Sequence, residues 1–427
     1  MSLQLAPSEF QSRADRLREF AKRQQLSGVV LFDNFHITYF TGFAFIPTER
    51  PICFAMNADG ERVLFVPRLE VEHAKAEARV ERVESYLEYP GDPHPMAQFA
   101  DIIKQMGMQK KIGGDNDGYP WILGYHGDTL SSLLGSAGIK FARTNRGDEP
   151  VIPLNEFSET EIYRIDLFVE HLMSIKSAAE LALIRESVKW GNLAHRLLQK
   201  YTRVGANETE VSLRASAEAT LTMLDTLGHL YQSQSMWSDG AEAGYRGQIG
   251  RNAAIPHSLT TNATFMAGDV LVTGANAPMW GYNSEVERTM IVGEPGAEQA
   301  RFFEHMKALQ ETAFDALKPG AKCSDVDRAV RAYFDKHNLM PYWRHHSGHA
   351  IGLRYHEGPF LDSGDDTVLE PGMVFTVEPG LYVPDPSTSS GQALGGFRHS
   401  DTIVVTQDGI EILTYYPRDL ASLTIPV

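Results

Sequence analysis

The chain has 427 residues, with 39 Lys+Arg against 55 Asp+Glu, a formal charge of −16, and 43% hydrophobic and 22% charged residues. That length exceeds the roughly 100–200 residues of one domain, so two domains are expected, and the composition excludes disorder as the main state. The acidic balance argues against a nucleic-acid partner while leaving room for a local basic pocket, and no apolar run approaches the ~18–20 residues that span a bilayer.

Only Cys53 and Cys323 occur, which argues against a disulfide framework and a Cys-rich zinc site. The N-terminal stretch is charged and lacks the apolar segment of a secretory signal, so a cytoplasmic location is expected.

In chain order, Ser8-Glu9-Phe10-Gln11 reads as a capping box, with Phe10, Leu17 and Phe20 following at helical spacing. Residues 28–33, 37–42, 52–56 and 61–67 read as strands, 71–79 and 96–106 as helices, and 111–115 as a strand end. This alternation predicts an α/β first domain. The character changes near residue 170, and the boundary is placed between 165 and 176, giving domains 1–170 and 171–427. Ser177 and Glu180 form an N-terminal cap for a long helix that should bury Leu181, Leu183, Ile184, Val188, Leu193 and Leu197. Helices are expected at 208–221 and 299–317, and strands at 270–273, 289–292, 374–377 and 402–406. Elements in blocks rather than strict alternation predict an α+β second domain.

Five segments could carry chemistry. His257 lies in AAIPHSL, and Glu285 and Glu287 in GYNSEVERT. His345, His346, His349 and His356 lie in HHSGHAIGLRYHEGP, Glu378 ends the apolar run VFTV, and Arg398, His399 and Asp401 form FRHSDT. Each has a purely structural reading. A lone loop histidine is usually a surface residue, and Glu285 and Glu287 have the spacing of a strand's solvent face. The four histidines could be a solvated loop, although Gly348, Gly352 and Gly358 argue for close backbone approach. Glu378 would be desolvated unless paired or metal-bound. Together these residues hold the groups that an acid–base or metal site needs.

The ordered motifs SIKSAAE, IPHS, GY-x-S-x-x-x-RT, SGHAIGL-x-x-HE, EPGM-x-F-x-VEPGLY and FRHSDT resemble the creatinase/aminopeptidase P family over roughly residues 175–415. DNFHITYFTGF and TERP resemble the smaller domain of creatinases and prolidases. The resemblance implies a pita-bread fold for the second domain. It also implies two divalent metals in the peptidase members, held by Asp, Asp, His, Glu and Glu. Those positions fall at Gly274, Glu285, His349, Glu378 and Ser400. Glycine offers no ligand and a hydroxyl is a poor replacement for a bridging carboxylate, so a metal-free member without cofactor is expected.

Metal-free creatinase is the pattern carried over. His257, thirty positions before Glu287, aligns with its catalytic histidine, and Glu287 and Glu378 align with its substrate-binding glutamates. Arg50, with Phe45 nearby, would reach across a homodimer to bind a substrate carboxylate. Glu285, His349 and His356 would complete the substrate site. Two carboxylates suit a delocalised cation, and a histidine of ordinary pKa about 6.5 suits proton transfer. A second carboxylate-binding arginine of creatinase is missing, Arg354 being near but not aligned. The expected activity is therefore metal-independent C–N hydrolysis of a small cationic or zwitterionic amidine or amide other than creatine. The alternative is a metal-dependent Xaa-Pro aminopeptidase or dipeptidase with a degenerate site using Glu285, His349 and Glu378. A non-catalytic binding module is the third reading.

Overall fold

A computed structural model describes residues 3–89, 91, 93–108, 111–118, 121–122, 125–126, 128–134, 161–235, 237–384 and 394–427. The chain divides into two compact units, Leu5–Met173 and Ser174–Val427, the latter taking in the N-terminal residues up to Gln4.

The N-terminal unit is built on a six-stranded mixed sheet in the order Arg82–Tyr86, Arg62–Pro67, Cys53–Asn57, Gly28–Leu31, Lys111–Gly114, Glu161–Arg164. Gly28–Leu31 pairs antiparallel with Cys53–Asn57 and parallel with Lys111–Gly114. Helix Pro95–Gln105 buries Met96, Phe99, Ala100 and Ile103, three or four apart on one stripe. They meet Val30, Ala55, Val63 and Phe65 of the sheet, with the Phe65 and Phe99 rings stacked at 5.6 Å.

Two local expectations are corrected. The first helix runs Pro7–Arg23 with Ala6 at its cap and no side-chain cap, so Ser8 lies inside it, and proline starts the helix because its missing N–H is not needed there. Residues 37–42 are not a strand. Asn34–Thr41 is a helix, capped by the Asp33 carboxylate on the N–H groups of Phe35 and His36 and ended by Gly42 at φ 74°. The β-branched and aromatic residues of ITYFT favour strand locally, and the two caps override them.

That helix places His36 between two carboxylates. Its Nδ1 lies 2.8 Å from Asp115 and its Nε2 2.9 Å from Glu170. Burial alone would lower its pKa, but the two hydrogen bonds and the Asp115 charge outweigh burial and raise it to about 9 from 6.5. The imidazolium therefore contributes its full stability below pH 6.5, and the contribution is lost as pH rises through about 9.

The second unit is built on a nine-stranded sheet. Its main path runs Glu357–Phe360, Gly348–Ala350, Val374–Val377, Ser400–Val405, Val286–Val292, Val270–Asn276, Glu242–Gly244. The Ser177/Glu180 capping box opens the helix Ala178–Tyr201. This helix buries Leu183, Ile184, Val188 and Leu197, whereas Leu181 and Leu193 are only partly covered. The expected helices extend to Glu208–Leu227 and Ala297–Ala316, and a further helix, Cys323–Lys336, was not foreseen. Lys176 and Glu357 form a fully buried ion pair at 2.7 Å. A Cβ on Gly352 would stand 2.8 Å from Lys176 Cε, so this glycine lets the pair close; Gly358 by contrast faces open space.

His36→Leu is expected to lower the stability of the N-terminal unit by about 3 kcal/mol near pH 6, where the imidazolium with its pKa raised to about 9 is fully charged. In paired denaturant melts, the difference between wild type and variant should shrink steadily toward about pH 10. A difference that stays constant over that range would show that His36 is not held charged.

Candidate functional site

The site is carried by four adjacent strands of the second sheet and the turns at their ends. Glu285 precedes the strand Val286–Val292 and Glu287 lies on it, two apart and hence on one face. That face is not solvated, because Glu285 and Glu287 are only 4% and 2% exposed. Across the sheet, Glu287 pairs with Gly274 on one side and Ser400 on the other. Both positions expected to have lost a carboxylate thus flank Glu287 in one row. A Cβ on Gly274 would lie 3.5 Å from Glu287 Oε1, so the Glu287 carboxylate occupies the space beside it. Ser400 Oγ donates to Glu285 Oε1 at 2.6 Å.

His349 sits on Gly348–Ala350, and Glu378 follows Val374–Val377 in the neighbouring strand. Gly348 has φ 158°, and a Cβ there would stand 2.0 Å from Thr376 O, so only glycine lets the strands pair at this point. His349 Nδ1 donates to Ala350 O at 2.9 Å, which aims Nε2 at the carboxylates. Nε2 lies 3.3 Å from Glu378 Oε1, and among the described residues it has no partner in hydrogen-bond geometry. Ligand atoms of Glu285, His349 and Glu378 all fall within 4.8 Å of one another.

The charges are balanced from within. Arg398 is buried and grips Glu287 with Nε on Oε2 and with Nη2 on Oε1 at 2.8 Å. Its Nε also lies 3.6 Å from Glu378, and its Nη1 donates to the Tyr382 hydroxyl at 3.0 Å. Arg246 also reaches Glu287, Nη2 to Oε1 at 2.7 Å. Burial and the neighbouring Glu287 and Glu378 charges raise Glu285 to about 7. Burial would raise Glu378 as well, but His349 and Arg398 outweigh it and hold this carboxyl well below its usual range. Burial would lower His349, and Glu378 and Glu285 raise it to about 9.

The remaining expected residues are placed as follows. The His356 ring stacks on His349 at 3.8 Å between centroids. His257 is exposed in a turn, within electrostatic reach of His356, and among the described residues no hydrogen bond ties it to Glu287 or Glu378. Arg50 lies in the N-terminal unit, where its guanidinium pairs with Glu49 and with Glu88 at 2.9 Å; Phe45 packs on Phe43 with ring centroids 5.3 Å apart. Asp401 is committed elsewhere, as is Asn276, two residues after Gly274 on the same strand. Asp401 pairs with Arg288 at 2.7 Å, and Asn276 bonds Asn283 at 3.0 Å. Arg246 was not foreseen from the sequence. It stands in no motif, and only the path of its loop brings it to Glu287.

The fold and this cluster define a pita-bread hydrolase. A family model for metallopeptidase family M24 matches residues 182–407, and one for the creatinase/prolidase N-terminal domain matches residues 13–128. The chain belongs to metallopeptidase family M24. It is 26% identical over 417 residues to an Xaa-Pro dipeptidase of Lactobacillus delbrueckii subsp. lactis, covering 96% of this chain and 99% of the relative. Among solved structures, a prolidase from Pyrococcus horikoshii OT3 superposes with a TM-score of 0.73 at 24% identity, covering 96% of this chain and 99% of its own. Dipeptidase PepE from Mycobacterium ulcerans gives 0.76 at 22% identity, covering 99% and 100%.

These findings correct the expectation of a metal-free, creatinase-like amidine hydrolase. A relative and a solved structure matched along nearly the whole chain are named as an Xaa-Pro dipeptidase and a prolidase, and three ligand-type side chains converge in this site. The family's paired metal ions do not fit the residues present. Gly274 and Ser400 supply no carboxylate, and the oxygens of Glu287 are already engaged by Arg398 and Arg246. A single cation does fit, at Glu285, His349 and Glu378, where the unpartnered Nε2 faces two carboxylates.

Removing Arg398 while keeping Glu287 leaves a buried carboxylate short of its main partner. Arg398→Met is expected to cost about 3–5 kcal/mol, and adding Glu287→Leu should recover part of that loss. Denaturant melts of the two variants test the pairing. Equal stability of Arg398→Met and wild type would show that the ion pair does not offset the buried charge.

Proposed function

We propose that this protein is a metal-dependent, cytoplasmic, homodimeric peptidase of the Xaa-Pro dipeptidase class, hydrolysing the peptide bond before proline in small peptides. The convergence of Glu285, His349 and Glu378 within 4.8 Å carries the reading, because this trio of anionic and imidazole donors suits one divalent cation. The whole-length likeness to a named Xaa-Pro dipeptidase supports the substrate class. The two cysteines are both free and buried, which is compatible with a reducing compartment.

A divalent cation held by Glu285, His349 and Glu378 would supply Lewis-acid polarisation of the scissile carbonyl. The protein's own groups do the rest. The Ala350 carbonyl fixes the His349 ring so that Nε2 faces the ligand side. Ser400 and Thr402 fix Glu285, the first through its carboxylate and the second through its backbone N–H at 2.8 Å. Arg398 keeps Glu287 and Tyr382 in place, and His345 Nε2 contacts the same tyrosine hydroxyl at 2.7 Å. His257, exposed in its turn, would carry a proton to the departing proline nitrogen. Water adds to the carbonyl carbon, the C–N bond breaks, and a free amino acid and proline result.

The test is chelation followed by titration with manganese, cobalt or zinc while cleavage of Ala-Pro and Leu-Pro is followed. Cleavage should vanish on chelation and return fully with about one cation per chain, the number the donor set can hold. His349→Ala and Glu378→Gln should bind the cation at least about tenfold more weakly. Cleavage that survives chelation, or its absence in the cation-loaded protein, would overturn the reading.

A further inference from the structure

We propose that His305 and His337 form a second cation site, apart from the carboxylate-rich trio, for an ion that prefers nitrogen donors, such as zinc, nickel or copper. The proposal does not depend on the peptidase reading.

Two packed helices bring the pair together. His305 lies on Ala297–Ala316, and His337 is the residue that ends Cys323–Lys336. The first helix buries Phe302, Met306 and Leu309, and the second buries Val330 and Phe334. His305 is half-buried and His337 is exposed, so the pair is open to solvent. Their ring centroids stand 5.3 Å apart, with the planes at 58°. With zinc–nitrogen bonds of ~2.0–2.1 Å at a tetrahedral angle, the centroids of two coordinating imidazoles lie about 5 Å apart. The rings already have the spacing of a chelating pair.

Tyr333 supplies the orientation. It lies one helical turn before His337, and the two rings are 4.3 Å apart. Its hydroxyl meets His305 Nδ1 at 3.0 Å. A polar partner on one ring nitrogen fixes the tautomer of a metal-binding histidine and aims the other nitrogen at the ion. Among the described residues, no hydrogen bond engages His305 Nε2 or either nitrogen of His337. Both imidazoles therefore keep a nitrogen for a ligand. Arg301, one turn before His305, is drawn off by Glu298, with Nη2 on Oε2 at 2.8 Å and Nε on Oε1 at 3.2 Å. The Glu311 charge acts on Tyr333, so an anion also stands by the cluster.

The donors define the ion. Imidazole nitrogens suit zinc, nickel and copper, whereas magnesium and calcium take oxygen. Without a carboxylate ligand the pair binds more weakly than the trio and fills after it. Both helices bear on the strands that carry the trio. From the first, Gln310 Nε2 donates to the carbonyl of Val377, the residue before Glu378, at 2.9 Å. From the second, Asp327 accepts from the hydroxyl of Ser347, two residues before His349, at 2.8 Å. An ion shared by His305 and His337 would clamp together the two helices that brace Glu378 and His349.

The test is calorimetric titration of nickel into full-length protein stripped of metal and then freed of chelator. A His349→Ala background disables the trio, and His305→Ala, His337→Ala or Tyr333→Phe is added to it. The background should still take up nickel, and either added histidine variant should weaken that binding by at least about tenfold. Tyr333→Phe, which removes only the orienting hydroxyl, should have a smaller effect in the same direction. Magnesium should give no binding heat at this site. His337 is exposed, so its variant should melt like the background without metal, which separates loss of the site from loss of the fold. Nickel binding in the background that neither histidine variant weakens, or no binding there at all, would overturn the assignment.

Discussion

Three carboxylates, those of Glu285, Glu287 and Glu378, are buried in one electrostatic neighbourhood, and everything else in the catalytic unit answers to their mutual repulsion. A buried anion without a partner costs several kcal/mol, so each must be neutralised or bonded. Arg398 meets Glu287, His349 meets Glu378, and Glu285 is left with the Ser400 hydroxyl and a pKa raised to about 7. Polar groups behind this layer are also satisfied. Asp401 is taken by Arg288, Thr414 and Gln310, and Asp327 by Arg331 and Ser347.

This constraint explains how a member of a metallopeptidase family can differ at two ligand positions without losing its fold. Without carboxylates at 274 and 400, the row that Glu287 occupies carries less negative charge. The carboxylates that remain are matched by two arginines and an imidazole. A cation at Glu285, His349 and Glu378 would take over the role that the His349 proton plays between Glu378 and Glu285.

Much of the site was legible in the sequence because its strands carry compact motifs. Glu285, Glu287, His349 and Glu378 were all singled out, and the structure gathers them. The inference drawn from Gly274 and Ser400 went too far. Two absent ligands rule out a pair of metals, yet they leave one complete trio, and only the sheet register shows which donors belong together. His257 was singled out by its spacing from Glu287, but it lies exposed without a direct bond to the glutamates. Spacing along a chain does not fix the direction in which a loop side chain points. Residues 37–42 failed for a related reason: strand-forming side chains sit between an Asp33 cap and Gly42, and the caps decide the conformation.

The sequence by itself determined the α/β and α+β halves, the long capped helix after Ser177, and the identities of the carboxylates and histidines, because period, caps and motifs are local properties. Tertiary structure alone decided the rest. It set Glu287 between the two positions that lack a carboxylate, turned His349 Nε2 toward Glu378, and brought Arg246 from a loop without a motif onto a carboxylate 41 residues away. Those relations depend on strand register and loop path, which arise from long-range packing and leave no periodic trace in the chain.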